Sequence, residues 1–111
     1  MLKIGFAILT IATVTIQPAT QPDNCAPRER RVNAIRHARI INTAEAMAFS
    51  KDRRYAPLAS LQIAGLPDDY RVQFTTDTAS YAFSIKDQTD SCHGVVFSDQ
   101  DGLIYTGGPL Q

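Results

Sequence analysis

The chain lacks most of the features that announce a chemistry. No apolar run is long enough to cross a bilayer as a helix: the longest, thirteen uncharged and largely apolar residues from Ile4 to Ile16, falls short of the twenty or so a span requires. The two cysteines, Cys25 and Cys92, show no CxxC spacing, and a set of Cys25, Cys92 and His93 contains two adjacent ligands that do not easily share one tetrahedral ion. There is no glycine-rich phosphate loop. The two histidines, His37 and His93, have no evident Ser or Cys nucleophile arrangement around them. Repeats and low-complexity segments are absent as well. These gaps argue for a protein that is not an enzyme, with no metal, no cofactor and no small-molecule substrate.

What is present begins with length. The chain has 111 residues, 44% of them hydrophobic and 20% charged, ordinary values for one globular domain with a modest core. Lys3 followed by Ile4–Ile16 and then a proline-containing polar segment fits a secretory signal peptide. We assign residues 1–20 to it, with a cut after Ala19 or Thr20, and residues 21–111 to a single domain. A retained anchor is the other reading of the same segment. The signal-peptide reading makes the product periplasmic or secreted, with no stable membrane span after signal cleavage. In that setting an even cysteine count favours a Cys25–Cys92 disulfide, closing a loop of about 67 residues and stabilising by roughly 3 to 4 kcal/mol in the chain-entropy model. Two free thiols are the alternative.

The domain is organised around Arg28 to about Asp52, a stretch with no Gly or Pro, preceded by Pro27 and rich in Ala, Arg, Ile and Glu. It predicts one long helix. Ile40, Ile41, Ala44, Met47 and Ala48 fall on one side at helical spacing and are expected to face a sheet, with Val32, Ile35 and Phe49 further round. Glu45, beside that stripe, is expected to form an interior salt bridge or a helix-surface pair. Leu58, Leu61, Ile63 and Leu66 lie in a connector, with a short helical turn from Pro57 to Gln62, and plug the edge of the core.

Four strands follow. Tyr70 to Thr76 and Ser80 to Lys86 alternate, placing Tyr70, Val72, Phe74, Tyr81, Phe83 and Ile85 on one face. Cys92 to Ser98 and Leu103 to Thr106 make a second hairpin across Asp99-Gln100-Asp101-Gly102. The predicted fold is α+β: one long N-terminal helix on a three- to four-stranded antiparallel meander.

Charge is divided unevenly. Residues 21–54 carry eight basic and four acidic side chains, a net of +4, whereas residues 55–111 carry two basic and seven acidic, a net of −5. The near-zero total hides a dipole. Arg28, Arg31, Arg36 and Arg39, with Arg53 and Arg54 at the far end, form the candidate partner-binding face. A solvated face partly neutralised by the domain's own acidic half is the plainer reading. Contact with nucleic acid is not favoured, because no aromatic residues interleave with the arginines to stack bases.

The helix ending in TAEAMAFSKDRRYAPLASL, the strands YRVQFTTD and SYAFSIK and the closing VVFSDQDGLIY hairpin resemble the globular part of bacterial type IV pilin-like and pseudopilin-like proteins, over about Ile35 to Tyr105. That resemblance implies a helix packed on a sheet of about four antiparallel strands, working by assembly and contact with a protein partner in the cell envelope, in a type II secretion or type IV pilus system. The alternative it allows is a nucleic-acid-binding, minor-pilin-like protein using the basic helix face. Gly5-Phe6 matches the family's peptidase site, but Thr10 stands where the family has Glu, and the apolar run ends at Gln17-Pro18. The resemblance therefore implies a pilin-like domain released from, or never committed to, a filament. Asp99 to Gly102 resembles part of a calcium loop, as pseudopilins carry in a C-terminal loop, but without the rest of an EF-hand pattern it is read as a plain turn.

Overall fold

Pro27 opens the helix and residues 28–52 complete it without a break: α1 runs Arg28–Asp52 in the computed structural model, which describes residues 25–108. The signal-peptide assignment, its cut site, Gly5-Phe6 and Thr10 lie outside the described residues. Arg53 ends α1 in the left-handed region (φ 60°), its N–H donating to the Phe49 carbonyl at 2.8 Å. The Pro57 turn shortens to one 3-10 turn, Leu58–Ser60. Strands β1 (Tyr70–Thr76), β2 (Tyr81–Asp87), β3 (Val95–Asp99) and β4 (Ile104–Gly107) pair in chain order as an antiparallel meander. Val72 sits opposite Ile85, Phe74 opposite Phe83, and Thr76 opposite Tyr81.

The helix lies across β2, β3 and β4. The core combines Ala34, Ala38 and Ile41 from the helix with Tyr70, Tyr81, Phe83, Ile85 and Val96 from the sheet, and Leu58, Leu61, Ile63 and Leu66 from the connector pack against it. The helix is rotated from the sequence expectation. Its buried line is Ala34, His37, Ala38, Ile41 and Glu45, whereas Ile40 is 43% and Met47 67% exposed. The reason is steric: Ala34 and Ala38 have no side chain beyond Cβ, so the sheet closes on their side, where ring-bearing residues of β1 and β2 already fill the space.

β3 also begins later than expected. Cys92, His93 and Gly94 belong to the β2–β3 loop because Asp90 gathers them there. Its Oδ1 accepts the N–H groups of Cys92 (2.9 Å) and Ala26 (3.2 Å), and its Oδ2 accepts that of Gly94 (3.4 Å). His93, expected on a strand, has φ 58° in this loop. The Cys25–Cys92 disulfide, with its Cα atoms 5.2 Å apart, ties the segment before α1 to the same loop.

Candidate interaction surfaces

The two ends of the helix are fastened to the sheet by two different polar devices. At the N-terminal end Arg30 donates from Nε to Asp87 Oδ2 (2.6 Å) and from Nη2 to Asp87 Oδ1 (2.9 Å), and Nη2 also lies 2.9 Å from Asp69 Oδ1. The guanidinium rests 4.3 Å from the centre of the Tyr70 ring, and the Tyr70 hydroxyl donates to the Arg30 carbonyl. Hydrogen bonding by Arg30 holds the buried Asp87 carboxyl down at about 2, against the opposing effect of burial and with help from Thr89. Bidentate geometry is what lets a mostly desolvated pair persist.

Near the C-terminal end the device is Glu45, fully buried. It makes no ion pair among the described residues, contrary to the sequence expectation. Its Oε1 accepts the Ala56 N–H at 2.8 Å, fastening the connector to the helix, while Oε2 is buried without a hydrogen bond. The reason is position: Glu45 lies on the buried line of α1, near enough to Tyr81 for its charge to act on the phenol, while Arg28, Arg31, Arg36 and Arg39 are exposed. Burial raises the Glu45 carboxyl above its ordinary value, and the Ala56 N–H opposes that shift.

A pH dependence follows. A carboxyl whose folded value is raised contributes stability that is complete below its unfolded value and is lost as pH rises through the folded one. Glu45→Gln keeps an acceptor for Ala56 and removes the charge. Urea unfolding should therefore show little difference between the variant and the parent at about pH 3 and a growing advantage for the variant toward about pH 7. A difference independent of pH would refute the assignment.

Between these anchors a polar chain crosses the interior. The Tyr81 hydroxyl donates to Asn42 Oδ1 (2.7 Å), Asn42 Nδ2 donates to Ser98 Oγ (3.0 Å), and Ser98 Oγ donates to the Leu103 carbonyl (2.6 Å). Burial pushes the Tyr81 phenol up to about 12, with the nearby Glu45 charge adding to it. His37 is buried on the inward line, where burial lowers its pKa and favours the neutral ring. Tyr81, Asn42 and Ser98 thereby tie the helix to the sheet.

The four arginines of the candidate face lie along the exposed side of α1 and border two different hollows. Arg28 and Arg31 border a hollow of about 530 Å³ between the first turns of α1 and the β3–β4 side of the sheet, floored by Ile35, Val95 and Val96. Arg36 and Arg39 border a separate groove of about 390 Å³, floored by Ile40, Ala44, Met47 and Ile63. All four are exposed. Arg36 Nη1 donates to Asn33 Oδ1 (2.9 Å), and the described ion pairs are made by Arg30. The sequence reading passed over Arg30, the structural one of the series. Its signal lies in Asp87, 57 residues away, which no local pattern connects to it.

A third surface was also unforeseen. Phe97 and Tyr105 stack with centroids 5.5 Å apart on the side of the sheet away from the helix, as the buried Val96 and Ser98 on either side of Phe97 require. The Asp99–Gly102 turn is closed by its own hydrogen bonds: Gly102 N–H to the Asp99 carbonyl (2.8 Å) and Asp101 N–H to Asp99 Oδ1 (3.0 Å), with Gly102 at φ 79°. The one cluster of three metal-ligating side chains among the described residues, Cys25, Asp90 and Cys92, has its sulfurs joined in the disulfide. Among the described residues no helix is long and apolar enough to cross a membrane. No protein-family model, curated protein or solved structure matches the chain.

Proposed function

We propose that this chain is a non-catalytic, pilin-like interaction domain, periplasmic or secreted, which captures a protein partner in the cell envelope, in connection with a type II secretion or type IV pilus system. The observation that carries the reading is the helix flank the sheet leaves uncovered. Ile40 and Met47 are exposed there at 43% and 67%, side by side with Arg36 and Arg39. An apolar floor rimmed by arginines has the composition of a protein-binding patch. The disulfide supports an oxidising compartment, and a helix on a four-stranded meander is the architecture the pilin resemblance implies. Protein is preferred to nucleic acid because the exposed aromatic pair, Phe97 and Tyr105, lies across the sheet from the arginines and cannot interleave with them.

The test is Arg36→Glu/Arg39→Glu. Both side chains are exposed, so unfolding free energy should change by no more than about 0.5 kcal/mol, while retention of envelope proteins on the immobilised domain should fall at least tenfold. Equal retention by parent and variant would reduce the flank to solvated surface. Steeply salt-dependent retention of DNA, lost in the same variant, would instead favour the nucleic-acid alternative.

A further inference from the structure

The occupant of the Arg36/Arg39 groove, we propose, is the β3–β4 turn of a second copy of this chain. The proposal rests on the reading of that flank as an interaction surface and names what binds it. On the sheet half, Leu103 is the most exposed of the large apolar side chains, at 59%. It follows directly on Asp99-Gln100-Asp101-Gly102, so an apolar knob stands beside two carboxylates. The groove is the complement: an apolar floor of Ile40, Met47 and Ile63 beside two guanidiniums. The wider charge division, +4 in residues 21–54 and −5 in residues 55–111, favours the same pairing at longer range.

The knob is held ready. The Leu103 carbonyl accepts from Ser98 Oγ (2.6 Å), the Gly102 carbonyl lies 3.5 Å from Asn42 Nδ2, and Asp99 Oδ1 caps the turn through the Asp101 N–H. Little ordering is needed on binding. Asn42 and Ile40 are roughly 200° apart around the helix, so the turn and the groove stand on opposite flanks of α1. The contact is then heterologous: each copy offers its groove to one neighbour and its turn to another. A turn in a shallow groove buries far less than about 1,200 Å², which makes the association weak and salt-sensitive.

Sedimentation velocity of the exported, disulfide-bonded chain, over about 10 to 500 μM at low salt, tests this at the affinity such an interface permits. Two variants separate the halves of the contact: Arg36→Glu/Arg39→Glu removes the groove, and Asp101→Lys/Leu103→Ser removes the knob while leaving Asp99 to cap the turn. The parent should sediment faster as concentration rises. Each variant alone should associate at least tenfold more weakly, and an equimolar mixture should recover a pair, because one variant keeps its turn and the other its groove. Circular dichroism confirms that both are folded. A parent that stays monomeric, variants that associate like the parent, or a mixture that recovers nothing would each overturn the proposal. If envelope proteins are still retained through Arg36 and Arg39 while the parent stays monomeric, the occupant is a different protein and only this inference falls.

Discussion

Reducing the Cys25–Cys92 bridge should lower the melting temperature by roughly 15 to 30 °C. The bridge closes a loop spanning 67 residues, which the chain-entropy model values at about 4 kcal/mol, and each kcal/mol shifts Tm by about 4 to 8 °C in a domain of this size. The loop encloses the whole helix, the connector, β1 and β2, so opening it frees most of the chain in the unfolded state. The native state also loses the tie that keeps Ala26 N–H near Asp90 and starts α1 beside the β2–β3 loop. Thermal unfolding with and without reductant, together with Cys25→Ser/Cys92→Ser, measures the effect. A shift of only a few degrees, with both thiols titrated as free, would contradict it.

Ile41→Ala should cost about 3 kcal/mol and Ile40→Ala no more than about 0.5 kcal/mol, although the two residues are neighbours and chemically identical. Ile41 is completely buried between Ala38 and Glu45 on the line facing the sheet, so truncating it removes buried methylenes and leaves a cavity. Ile40 is 43% exposed on the groove, so its truncation removes far less buried surface. Denaturant unfolding of both variants reads the rotation of the helix directly. Equal losses would mean that the helix presents both residues to the sheet.

That contrast marks the boundary of what the sequence makes legible. The span of α1 is readable because no Gly or Pro interrupts residues 28–52 and Pro27 stands at its start. β1 is readable because its alternation is strict, and the disulfide because an even pair of cysteines behind a signal-like N-terminal segment has few other fates. The rotation of α1 is not readable in the same way. Apolar residues are spread widely around this alanine-rich helix, and the face that packs is chosen by where small residues let a ring-filled sheet approach. Likewise nothing local separates Arg30 from Arg31. Asp87, on the helix-facing side of β2, and Asp69, just before β1, make the choice, which leaves Arg31 exposed beside its paired neighbour.

Glu45 shows the same limit from the acidic side. An acid among alanines and hydrophobes in mid-helix suggests an ion pair, yet its partner is the backbone N–H of Ala56, just beyond the helix end. That contact fastens the start of the connector to the helix; further along the same connector Ile63 packs against the core and lines the groove.

Site-specific photo-crosslinking in cells exporting the chain tests the central claim, that the uncovered flank of α1 is the contact surface. A benzophenone side chain at Met47, 67% exposed on the groove floor, should yield a discrete protein adduct, and the same group at the exposed Gln73 of β1 should not. Adducts from Gln73 and none from Met47 would contradict the account and move the interaction off the helix.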